Sequence, residues 1–122
     1  MIFAVEGHIE KIKKGTKTET RRGAAALSHY HIGHSYSVQP KRAMPGIKEG
    51  RILITDKWLE QKIQPIKNYP IPPQNAIAEG NYTTEEYEIL FNKLHPDWVV
   101  RSAFKFKFLP APPMKNLRDI FV

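Results

Sequence analysis

The residues best equipped for chemistry lie together near the start of the chain, in Gly15-Thr16-Lys17-Thr18-Glu19-Thr20-Arg21-Arg22. Three hydroxyls, an ammonium, two guanidinium groups and a carboxylate follow a glycine placed where a helix would stop. In an extended chain, period-two alternation puts Lys17, Glu19 and Arg21 on one side and Thr18, Thr20 and Arg22 on the other. A lysine whose pKa is drawn down can act as a general base, and a threonine hydroxyl as a nucleophile. The same cations can hold a phosphate. The bland alternative for the segment is a polar edge strand.

Two further sets are candidates. His29, His31 and His34 have the donor type and density of a zinc site, in which three imidazoles leave a fourth position for water. No carboxylate stands near them in sequence, and Ser28, Tyr30 and Gly33 read as an exposed turn. A solvated hairpin or a phosphate contact is the expectation, with no metal and no cofactor. Tyr36, Trp58 and Trp98 could stack on unpaired bases, although large aromatics more often belong to a core. His8 and His95 read as ordinary helix-end residues. With no cysteine, thiolate metal sites, disulfides and a cysteine nucleophile are all excluded.

Charge adds a direction. Nineteen Lys and Arg against twelve Asp and Glu give a net charge of +7. The basic residues concentrate between Lys11 and Lys48, where Glu19 is the only acid; between Asn75 and Asp97 the acids dominate. A basic sector supplies the sequence-independent attraction for phosphate that nucleic-acid binding requires, and Lys17, Arg21, Arg22, Lys41 and Arg42 are its candidate contacts. A solubilising basic surface is the alternative.

The elements that must position these groups can be read from periodicity. The 122 residues make one domain. No apolar run has the length of a membrane span, and Glu6 sits where a leader would be apolar, so a cytoplasmic, soluble protein is expected. Ile2 to Val5 is a short β-prone stretch. Ile9 and Ile12 predict a short helix over 8–14, and Gly23 to Ser28 a small-residue linker. Tyr36 to Gln39 alternates like a strand, and Arg51 to Trp58 is the clearest central one. Gln64 to Pro73, with four prolines, reads as an irregular crossing loop. Thr83 with Glu86 forms a capping box before the apolar stripe Tyr87, Leu90, Phe91 and Leu94. Phe104, Phe106 and Phe108 alternate with Lys105 and Lys107 in a last strand. The expected class is α+β: a small mixed β-barrel flanked by two short helices.

The motifs, taken in order, resemble the ASCH domain, a relative of the PUA RNA-binding fold whose signature reads Gly-x-Lys-Thr-x-Thr-x-Arg. Gly15, Lys17, Thr18, Thr20 and Arg22 occupy its defined positions. Tyr36, Val38, Gln39 and Pro40, then Ala78, Glu79 and Gly80, and the aromatic last strand follow in family order. The similarity runs over 1–109, leaving 110–122 as a proline-containing tail. It implies a PUA-like barrel with a cleft for RNA or a modified nucleoside. Some bacterial members are amidohydrolases that deacetylate 4-N-acetylcytidine; by motif, their catalytic set falls on Lys17, Thr20 and Glu79. The chain departs from them in its Gly23 to Leu27 and histidine stretch, its proline-rich loop and its Gln39 to Gly46 segment. A ribonuclease using the histidine cluster is a third reading.

Overall fold

The alternation of phenylalanine and lysine near the chain's end organises a sheet. In the computed structural model, which describes residues 1–61 and 70–112, strand β4 (Val100–Pro110) is a central strand. It buries Phe104 and Phe106 and leaves Lys105 and Lys107 exposed. It pairs antiparallel with β1 (Glu19–Gly23) on one side and β3 (Gly50–Gln61) on the other. The short β2 (Ser35–Ser37) pairs with β3, giving the order β1-β4-β3-β2.

One irregularity in β3 decides what each face of the sheet carries. Ile52 and Ile54 stand opposite Phe108 and Phe106, but the register then shifts so that Asp56 faces Lys105. The extra residue in this β-bulge turns the following even-numbered positions to the other face. Trp58 and Glu60 therefore come opposite Ala103 and Arg101. On the first face lies a core of Met1, Phe3, Ile12, Val38, Ile52, Ile54, Phe104 and Phe106. A second cluster contains Ile71, Ala76, Tyr87 and Phe91.

Helices cover these clusters. Helix α1 (His8–Lys13) buries Ile12 and His8, and Gly15 beyond it takes φ 78°, a left-handed conformation that glycine adopts without penalty. Helix α2 (Pro73–Gly80) starts on Pro73, whose missing N–H costs nothing in a first turn, and ends on Asn81 at φ 69°. Helix α3 (Thr84–Leu94) has the expected reciprocal cap: Thr83 accepts from the Glu86 amide at 3.1 Å, and the Thr83 amide donates to the Glu86 carboxylate at 3.0 Å. Residues Ala24–Ser28 form a 3-10 turn, whose end is tied down where Lys57 donates to the carbonyls of Leu27 and Tyr30.

Several expectations are corrected. The class is α+β, but among the described residues the sheet is an open antiparallel one, with β1 and β2 each having a single sheet neighbour. It does not close into a barrel. Among the described residues, three α-helices and the 3-10 turn stand in place of two short helices. Pro73, read as the end of a loop, opens α2. Ile2 makes only an isolated parallel bridge to Gln39. The rest of the proline-rich stretch, 62–69, and the tail from 113 onward lie outside the described residues.

Candidate functional site

Because β1 is an outer strand, side chains from both of its faces can reach a cavity along its open edge. A cleft of about 330 Å³ lies there. The N-terminal segment, with Ile2, Phe3, Val5 and His8, forms one wall. Leu90, Phe91 and Leu94 of α3, continued by His95 and Trp98, form the other. Lys17, Thr20, Arg21, Arg22 and Glu79 lie between them. This explains an oddity of α3, whose apolar stripe is buried at Tyr87 and Phe91 but half-exposed at Leu94: the stripe runs out of the core and along the cleft.

Lys17 and Glu79 are each only 2 % exposed, and the Lys17 ammonium lies 2.7 Å from Glu79 Oε1. It also donates to the carbonyls of Glu79 and Glu19, both at 2.8 Å. Three acceptors for three N–H donors is the hydrogen-bonding pattern of a protonated lysine. Burial pulls the Lys17 pKa below its usual value, and the Glu79 carboxylate works against that fall. Local backbone fixes the placement. The amides of Thr16 and Lys17 both donate to the Lys11 carbonyl, and the Thr18 amide reaches the Ala78 carbonyl of α2 at 2.7 Å.

Behind this pair is a buried ionic web. Arg21 grips Glu60 with two bonds of 2.9 Å and sends its remaining donors to Glu19 and Glu79. Arg101 joins Glu60 to Glu88. Asn75 holds both oxygens of Glu19, and the Trp58 indole donates to Glu60. Burial raises the Glu60 pKa, but the Arg21 bonds, the Arg21 and Arg101 charges and the Trp58 bond together hold the carboxylate below its usual range. Burial likewise opposes the charge on Arg21, and Glu60 and Glu79 more than reverse the effect.

Arg22 differs from Arg21. It donates to the Thr20 hydroxyl at 3.2 Å and lies over the Phe3 ring at 4.6 Å, but among the described residues it makes no ion pair. Burial draws its pKa down. Two imidazoles complete the cleft. His8 Nε2 lies 2.8 Å from the Tyr82 hydroxyl, and burial, followed by the nearby Lys17 charge, lowers its pKa to about 4. His95 stacks on Trp98 with ring centroids 3.7 Å apart and planes within 4°.

No family model matches the chain, and no curated protein matches it. Solved structures do match, with fold likeness at low sequence identity. One is an ASCH domain from Lactobacillus crispatus JV V101: TM-score 0.58, 16 % identity, covering 85 % of this chain and 71 % of that one. The chain has the ASCH-domain fold. A second neighbour, a DUF984 protein from Enterococcus faecalis V583, has a TM-score of 0.56 at 16 % identity, over 83 % of this chain and 66 % of that one.

In this ASCH fold, the residues singled out from sequence separate into groups. Lys17, Thr20 and Glu79 meet in the cleft, with Arg22 beside them. Within β1 the period-two sorting holds, since Arg21 bonds Glu19 while Arg22 bonds Thr20; Lys17 lies before the strand and lines the same cleft as Thr20. Glu79 sits in the last turn of α2, ahead of α3 as the motif order implies. Arg21, expected to contact phosphate, has its donors taken up by carboxylates. Lys41 and Arg42 are exposed in the turn after Gln39 and do not line the cleft. His29, His31 and His34 are exposed, and among the described residues no group of three His, Cys, Asp or Glu is placed to hold a metal ion. Trp98 lines the cleft, Trp58 belongs to the ionic web, and Tyr36 packs edge-on to Tyr30. No helix among the described residues is long and apolar enough to cross a membrane.

Sequence reasoning missed His8, Tyr82, Glu60, Glu88 and Arg101. For His8 the available signal was its place two turns before Lys17 on the same helix-and-loop unit. For the web there was none, because a glutamate or arginine in a strand reads as solvent-facing.

Proposed function

We propose that the cleft binds a flat heterocyclic ring: the base of a nucleoside or of an unpaired RNA nucleotide. The observation that carries this reading is an apolar and aromatic cavity of about 330 Å³ that ends on the Lys17–Glu79 pair and holds one guanidinium, Arg22, without a carboxylate partner among the described residues. The volume is at the low end for small-molecule pockets and fits one ring with its sugar. Apolar walls favour a ring face, and Arg22 favours an oxygen or phosphate at its edge. On an RNA strand, Lys41 and Arg42 would meet backbone phosphates outside the cleft. Titration with single-stranded RNA and free nucleosides at increasing salt tests this. RNA affinity that falls with salt, together with nucleoside-induced shifts of Trp98 and Phe3 signals, is expected. No binding of either at low salt rejects it.

A second reading is favoured by one observation, the Thr20 hydroxyl in the same cleft as a buried lysine–glutamate pair. In that reading the protein hydrolyses an N-acylated cytidine nucleoside, with water adding across the acyl–nitrogen bond to release a carboxylic acid and the amine. Thr20 would attack the acyl carbon, Glu79 would protonate the leaving nitrogen, and water would then cleave the acyl–Thr20 ester to release the acid and restore the hydroxyl. Lys17 has all three donors engaged, so it must surrender a proton before it can accept one from Thr20. Mass analysis after incubation with acylated nucleosides tests the reaction. Turnover abolished by Lys17→Ala, with RNA affinity partly retained, supports it; no product from any acylated nucleoside rejects it.

A further inference from the structure

Most polar groups around the cleft are already satisfied by the protein. Lys17, Glu79 and Arg21 bond one another, and Thr20 accepts from Arg22. His8 differs. Its Nε2 faces the Tyr82 hydroxyl at 2.8 Å, while Nδ1 has no protein partner among the described residues. No buried side-chain nitrogen or oxygen among them lacks a partner, so Nδ1 is open, and the open space beside His8 is the cleft.

We propose that His8, held by Tyr82, presents its Nδ1–H to the cleft as a hydrogen-bond donor and so selects a ring whose inner edge carries an acceptor. The inference rests on reading the cleft as a nucleobase site.

The tautomer follows from the partner. A phenol is a good donor, and an imidazole nitrogen with a free lone pair is a strong acceptor. Tyr82 has no other hydrogen-bond partner for its hydroxyl among the described residues and is taken as the donor to His8 Nε2. In an uncharged ring the remaining proton is then on Nδ1. The ring stays uncharged because burial and the Lys17 ammonium oppose a second proton. Tyr82 is fixed in turn: Lys11 lies over its ring at 4.6 Å and donates to the Gly80 carbonyl at 2.7 Å. Arg22 in the cleft is also a donor, whereas the His95 ring and the Thr20 hydroxyl, which line it too, can donate or accept. The His8 and Arg22 contacts together favour carbonyl oxygens or unprotonated ring nitrogens, as on a 2-oxopyrimidine, over an amino edge.

The test uses the full chain, with cytidine and a phenyl riboside as probes; the latter has the ring shape without acceptors. Nitrogen-15 spectra of His8 should show a protonated Nδ1 and a bare Nε2, with Nδ1 shifting when cytidine is added. The amide nitrogen of His8→Asn falls where Nδ1 was, whereas that of His8→Gln falls where Nε2 was. His8→Asn should keep cytidine affinity within a few-fold, and His8→Gln should lower it about tenfold or more without changing phenyl riboside affinity. A protonated Nε2, or wild-type cytidine affinity in folded His8→Gln, overturns this inference alone. A wild-type protein that binds neither probe overturns the nucleobase reading and this inference with it.

Discussion

Lys17 and Glu79, 62 positions apart, meet at 2.7 Å between the loop entering β1 and the last turn of α2. The contact joins the segment richest in functional groups to a helix whose own sequence announces nothing. It also ties the site to stability, because a buried charge left without its partner is costly. Lys17→Met should destabilise the protein by about 3 kcal/mol, less any share that Arg21 offsets through Glu79 Oε2. Lys17→Met with Glu79→Leu should recover part of that loss. Urea unfolding of the two variants and the wild type gives both numbers.

Adjacent arginines should behave in opposite ways. Arg21→Lys replaces a forked grip on Glu60 with a point charge and should cost about 2 kcal/mol or more. Arg22→Lys breaks only the bond to Thr20 and the contact with Phe3, and should cost about 1 kcal/mol or less. Ligand affinity should reverse the order, falling further in Arg22→Lys than in Arg21→Lys. Thermal unfolding paired with nucleoside titration separates the two effects.

Stability should fall in mild acid through His8. Its ordinary value is 6.5 and its folded value about 4. Between these the unfolded chain binds a proton that the folded chain refuses, so stability rises with pH across the window and is lost as pH drops through it. Burial lowers His95 in the same direction. The groups acting on His8 are Lys17, Lys11 and Arg22, which disfavour its charge, Glu79, which favours it, and the Tyr82 hydroxyl. His8→Phe should flatten the pH dependence of the urea midpoint between pH 6.5 and 4. An unchanged slope would remove His8 as its source.

Gly50→Ala should be strongly destabilising. A Cβ there would strike the Leu109 carbonyl of the paired strand and approach the Phe108 ring to 2.6 Å. Both belong to β4, which cannot retreat without loosening its pairs with β3. A lowered melting temperature with the urea m-value retained is the expected signature.

Much of this arrangement was legible from residue patterns. The reciprocal cap at Thr83 and Glu86 gave α3, and the Phe–Lys alternation gave β4, because both are local signals. Helix α2 was hidden by its prolines, since Pro72 and Pro73 are as compatible with a loop as with a first turn. The open sheet was hidden for a different reason: strand periodicity defines faces but not whether edges meet. Lys17, Thr20 and Glu79 were joined through resemblance to a motif, and the carboxylate that faces Lys17 could not have been found from spacing. The web of Arg21, Glu60, Arg101 and Glu88 was least legible, as its members are charged residues facing inward on a sheet whose second face the β3 bulge creates.

The strand order has a consequence in time. β1 is made well before β4, its single sheet neighbour among the described residues, and the bond from the Ser102 hydroxyl to the Arg22 carbonyl spans 80 positions. A growing chain therefore carries the Glu19-to-Gly23 strand unpaired until β4 has been synthesised. Closing so long a loop comes late and slowly compared with local helix formation. During translation the strand that carries Thr20 and Arg22 thus gains its sheet partner only once Phe104 and its neighbours in β4 have been added.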